Sequence, residues 1–146
     1  MRLAQEIGEG WGWGCTPFVE DEEHRRLLWL MAEYFRTVGF TDIRARLPLF
    51  DTTELFTGTL EDHRPDLTCR QNDSKRTGLI VEVVTSWSFW MPEIENRWCL
   101  LASAARLYGV GLHFAVRAWQ RSGSLEGPLR RRLSQIELPF HHIWTA

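Results

Sequence analysis

The sequence predicts an α/β protein, a central mixed β-sheet flanked by helices, in the order α-β-β-β-α-β-α. Three observations lead there. An apolar stripe at spacings of three and four runs through residues 17–38. Two short apolar runs, 65–70 and 79–85, flank the polar turn sequence QNDSKRTG. A second helical pattern at 92–108 is followed by an alternating run at 112–119. The 146 residues suffice for one domain with a real core. We read residues 1–16 as an irregular Gly- and Trp-rich arm, 17–119 as the core, and 120–146 as a C-terminal helix and tail.

Thr16 and Pro17 open the first helix, because proline at the first turn gives up only an N–H that has no helical partner. Leu27, Leu30, Met31, Tyr34, Phe35 and Val38 form its core stripe, and Gly39 stops it. In 42–50, Ile43, Ala45 and Leu47 alternate with Arg44 and Arg46, which predicts a half-buried strand ending at Pro48. Residues 51–63 read as a loop with a short strand near Leu55 and Phe56. The turn chemistry of 71–78 joins 65–70 and 79–85 as an antiparallel hairpin. LIVEVVT is apolar on both faces except for Glu82, which suits a central strand. Pro92 opens the second helix, with Ile94, Trp98, Leu101, Ala105 and Tyr108 on one face. Leu112, Phe114 and Val116 then alternate with His113, Ala115 and Arg117. A turn at 123–127 leads to a short arginine-rich helix at 129–136 and a tail with Pro139, His141 and His142.

Composition narrows the function classes. A net charge of −2 argues against a general polyanion binder. Sixteen of the 17 basic residues are arginine, which suits bidentate contacts to carboxylate or phosphate, although a GC-rich genome gives the same bias. Cys15, Cys69 and Cys99 are widely spaced, which predicts a reducing compartment, with Cys69 and Cys99 as small buried residues. No Cys/His spacing reads as zinc. No signal-peptide run and no stretch near about 20 apolar residues is present, so the expectation is a cytoplasmic protein without a membrane span. Trp11, Trp13, Trp87 and Trp90 sit among Gly, Ser and Pro, where exposure and a partner interface are expected.

Asp66 and Glu82 stand on neighbouring strands of the predicted hairpin. A lone buried carboxylate is costly, and a second beside it ionises with still more difficulty unless a cation holds both. The pair is therefore a candidate Mg2+ site, because Mg2+ takes oxygen ligands and keeps several waters. Such an ion activates water and stabilises charge on a phosphoryl oxygen. Structural roles stand beside this one. Asp66 also fits a turn-capping acid after Pro65. Glu82 also fits a buried acid paired with Arg44, Arg46 or Arg117, and Glu23 a first-turn acid facing the helix dipole.

Pro65-Asp66, followed sixteen residues on by Glu82 in an apolar strand, resembles the signature of the PD-(D/E)XK, or restriction-endonuclease-like, nuclease superfamily. The element order over residues 17–119 is similar to that fold's core. The resemblance implies a Mg2+-dependent nuclease acting on nucleic acid, with Asp66 and Glu82 as metal ligands. It also implies an acid on the first helix, Glu23 or Glu20, to complete the set. The small size is similar to the archaeal Holliday-junction resolvases, which implies a homodimer. One position departs from the pattern, because Val84 stands where the family has lysine. Lys75, the chain's only lysine, lies in the turn about 23 Å from Glu82 at ordinary strand rise.

Arg97, on the helix after the strand, is then the candidate for the missing role, with Arg70 next. Arginine is a poor proton acceptor, but it binds phosphate or a charged transition state. Arg70, Lys75 and Arg76 are the candidate nucleic-acid contacts. The other reading is a catalytically inactive relative that keeps the scaffold and binds protein or nucleic acid. Elsewhere, adjacent His141 and His142 point opposite ways on an extended chain, so a solvated tail is expected. The run 130–132 reads as a solvated helix face or a phosphate contact. Ser86, Ser88 and Ser103 lack a nucleophile context.

Overall fold

The computed structural model describes residues 22–53, 64–71, 78–118 and 123–146. Five strands form one sheet in chain order: β1 (Thr41–Ala45), β2 (Leu67–Arg70), β3 (Gly78–Val83), β4 (Gly111–Val116) and β5 (His142–Thr145). β1, β2 and β3 pair antiparallel, whereas β3, β4 and β5 run parallel. α1 (Glu22–Thr37) covers one face; α2 (Ile94–Tyr108) and α3 (Glu126–Gln135) cover the other. No helix among the described residues is long and apolar enough to cross a membrane. The N-terminal arm with Trp11 and Trp13, the proposed cap at Thr16 and the short strand near Leu55 lie outside the described residues.

β3 explains the layering. Leu79, Val81 and Val83 face α1, while Ile80 and Val84 face α2, so the strand is buried on both sides as its β-branched run predicts. Each large apolar side chain fully buried here contributes about 2 kcal/mol relative to exposure. The α1-side core gathers Leu27, Leu28, Met31 and Phe35. The other side gathers Trp98, Leu101, Leu129 and Leu133.

Several expectations need correction. The α1 stripe is rotated: Leu28, Met31, Ala32 and Phe35 are buried, but Leu30, Tyr34 and Val38 are exposed. The mixed apolar composition of both helix faces hid the true phase. Tyr108 is also exposed, because the helix ends there and Gly109, at φ 68°, turns the chain away. β1 stops at Ala45, and its register shifts between Thr41 and Arg44, where Asp42 has φ 48°. Cys69 is buried, and burial pushes its thiol up to about 12, but Cys99 is exposed.

The expected C-terminal tail is the largest difference. α3 returns the chain to the sheet, and His142–Thr145 pairs in parallel with β4 as β5. Ile143 is buried, and the Trp144 ring meets those of Phe35 and Tyr34 from α1. The element order is therefore α-β-β-β-α-β-α-β.

Candidate functional site

The hairpin register assembles the site. β2 and β3 pair Leu67 with Val81 and Thr68 with Ile80. One step further along, Asp66 meets Glu82. The Asp66 N–H donates to Glu82 Oε1 at 3.3 Å, and the Val83 N–H donates to Asp66 Oδ2 at 2.8 Å. Both acids are 2% exposed. Loop contacts hold the Pro65-Asp66 segment: Thr53 Oγ1 donates to the Pro65 carbonyl at 2.8 Å, and Arg46 N–H to the Asp66 carbonyl at 3.0 Å.

Arg97 reaches this pair from α2. Its Nε donates to Glu82 Oε2. One terminal nitrogen, Nη2, donates to Glu82 Oε1 at 3.1 Å and lies 3.9 Å from Asp66 Oδ1. The same nitrogen donates to the Arg64 carbonyl at 2.7 Å. The Arg97 side chain is itself buried, 6% exposed as a residue. Such a planar fork matches a carboxylate bidentately, which lysine cannot do. His24, on the first turn of α1, approaches from the opposite layer, with Nε2 3.2 Å from Asp66 Oδ2. Arg46 lies 3.7 Å from Asp66 Oδ1.

Two touching carboxylates share this much positive charge unequally. Burial raises the Asp66 pKa, but His24, by charge and hydrogen bond, and then Arg97 outweigh it and hold the carboxyl well below the usual range. Burial pushes Glu82 up to about 7 against the pull of Arg97, and the Asp66 charge adds to the rise. Arg97 is held firmly protonated: burial opposes its charge, and Glu82 and Asp66 more than offset that.

Protein-family models, curated proteins and solved structures give no match to this chain. The site is read from its own chemistry. Asp66, Glu82 and Arg97 come together as the sequence predicted. Glu23 does not join them: its Oε1 lies 3.5 Å from Ser86 Oγ, and its Oε2 is buried without a hydrogen-bond partner among the described residues. The α1 contact to Asp66 is its neighbour, His24. Spacing from Leu28, Met31 and Phe35 places His24 on the buried stripe, a signal that the misphased stripe concealed.

Arg70 sits at the far end of β2, exposed, 3.3 Å from Asp42 Oδ2, and so away from the acids. Lys75, Arg76 and Glu20 lie outside the described residues. The partner of Glu82 is neither Arg44, Arg46 nor Arg117 but Arg97.

A Mg2+ ion does not fit this pair as it stands. Each carboxylate oxygen already faces a nitrogen of Arg97, His24, Arg46 or the backbone. The guanidinium occupies the side from which a cation would neutralise both acids. Among the described residues, no three His, Cys, Asp or Glu side chains stand where they could hold one metal ion.

Proposed function

We propose that the chain is a restriction-endonuclease-like scaffold in which Arg97 replaces the metal ion, and that it binds a protein partner instead of cutting a phosphodiester. One observation carries the reading: a buried guanidinium spans both Glu82 oxygens and reaches Asp66. Val84, in the position of the family lysine, is wholly buried in the α2-side core, and no lysine stands beside the acids among the described residues. The 3-10 turn after β3 (Ser88–Trp90) buries Phe89 and turns Trp87 and Trp90 outward. Trp90 is 76% exposed. Large amphipathic rings of this kind anchor protein interfaces, and the net charge of −2 does not favour a polyanion.

Cleavage assays on single- and double-stranded DNA and RNA, with Mg2+ or Mn2+, test the proposal. The expected result is no cutting above that of the Asp66→Asn variant. Metal-dependent cutting abolished by Asp66→Asn, in a variant that remains folded, overturns it.

A second reading, a Mg2+-dependent nuclease at Asp66 and Glu82, is favoured by one observation, the juxtaposition of the two acids across the hairpin, where the Asp66 N–H donates to the Glu82 carboxylate. It requires Arg97 to leave both carboxylates before a metal arrives.

A further inference from the structure

The opposite end of the sheet holds a second group of titratable side chains. A groove of about 650 Å3 opens at the amino ends of β3 and β4. Phe40, Leu79 and Trp144 wall it, and His113, His141 and His142 line it. Such a volume suits a small organic molecule. No Asp, Glu, Lys or Arg is among its described lining residues. The rings brace one another: His113 lies nearly parallel to Trp144 at 6.1 Å and 16°, His141 lies 4.8 Å from His113, and His142 meets Trp144 edge-on at 4.5 Å.

Three histidines in one groove invite a metal, but the tautomer of His113 argues against one. Trp144 Nε1 donates to His113 Nδ1 at 3.0 Å. An indole nitrogen can only donate, so Nδ1 carries the lone pair and Nε2 carries the proton. His113 is therefore a fixed N–H donor at Nε2, without a lone pair there for a metal. Burial, aided by His141 and His142, pushes His113 down to about 4, so the ring keeps this neutral form at ordinary pH. Nε2 has no acceptor among the described residues, and Gly111 makes room for it: a Cβ there would come 3.0 Å from Nε2. Among the described residues, the groove thus offers one oriented donor between apolar walls, with two more imidazoles and no opposing acid.

We propose that this groove binds a small aromatic carboxylic acid, its carboxylate accepting the His113 Nε2–H and its ring lying against Trp144 and Phe40. Preorganised rings lower the ordering cost of binding. A carboxylate is preferred to a neutral acceptor because an N–H bond to an ionised oxygen is the stronger one and no acid among the described lining residues repels it. The site is independent of the acid pair at the other end of the sheet.

Phenylacetate titrated into the full chain tests this, with 1H–15N NMR reading the Trp144 indole N–H and the His113 ring. The expected result is saturable shifts of both, with phenylacetamide at least tenfold weaker. Gly111→Ala keeps the imidazole but sets a methyl against Nε2, and should weaken phenylacetate at least tenfold. His113→Phe keeps the ring without the donor and should do the same; if it fails to fold, Gly111→Ala decides. Absence of shifts into the millimolar range overturns the proposal, as does equal binding of acid and amide. Zn2+ binding through His113 Nε2 overturns it too, because it requires the other tautomer.

Discussion

At the end of β3, two buried acids are met by a guanidinium and an imidazole; at the start of β4, a buried imidazole is met by an indole N–H and stays neutral. Both places bury titratable groups in the same sheet. The first closes on itself, because every carboxylate oxygen faces a hydrogen-bond donor or a guanidinium within 4 Å. The second leaves one donor facing a groove. Charge that is matched inside the protein has little left to offer a ligand, whereas a neutral, oriented N–H keeps its capacity.

The sharpest break of this contrast is to remove the guanidinium. Arg97→Leu leaves buried Glu82 without its main counter-charge, and Asp66 with His24 as its chief remaining one, and should cost about 3–5 kcal/mol in urea unfolding. Adding Asp66→Asn and Glu82→Gln to that variant should recover most of the loss, because no charge is then stranded. Failure to recover would mean that Arg97 stabilises by packing alone.

Next in size is the response to pH, where the two ends pull in opposite directions. Glu82 sits at about 7 in the folded chain against an ordinary 4.5, so the folded state holds its proton longer. The unfolded chain releases that proton first, and this term of stability falls as pH rises from 4.5 to 7. His113 sits at about 4 against 6.5, so the unfolded chain gains its proton first. That term falls as pH drops from 6.5 to 4. Each is worth at most about 3 kcal/mol over its window. Asp66, held low, adds stability that is lost only in stronger acid. Glu82→Gln should therefore leave stability rising with pH between 4.5 and 6.5, and His113→Phe should leave it falling. Denaturation midpoints across that range check both signs.

Smaller effects sharpen the groove. Trp144→Phe removes the indole N–H and should cost about 1–2 kcal/mol. It should also free His113 to exchange tautomers, visible in its ring 15N shifts. Trp90→Ala should change stability by less than about 0.5 kcal/mol, since its ring lies mostly in solvent. A larger loss would make Trp90 a structural residue and weaken its place in a partner interface.

The acid pair was legible in the sequence because a short hairpin has a period of two and little freedom of register. Once 65–70 and 79–85 pair, Asp66 and Glu82 must meet. Arg97 was legible as a cation on the next helix, though only the fold shows it buried against both acids. His24 was hidden because α1 carries apolar residues on both faces and Leu30, Tyr34 and Val38 drew the stripe the wrong way. β5 was hidden by its brevity, four residues bearing one buried aliphatic. The groove was hidden for a deeper reason. His113 and His142 meet through parallel pairing of strands separated by a whole helix, and no local pattern encodes that register.

The most direct test of the central claim is a Mn2+ titration followed by NMR of Asp66, Glu82 and the Arg97 guanidinium. The account predicts no selective line broadening at these residues below millimolar Mn2+, with the Arg97 Nε–H staying hydrogen-bonded and slow to exchange. Selective broadening of Asp66 and Glu82 at micromolar Mn2+, with release of the Arg97 Nε–H, would contradict it.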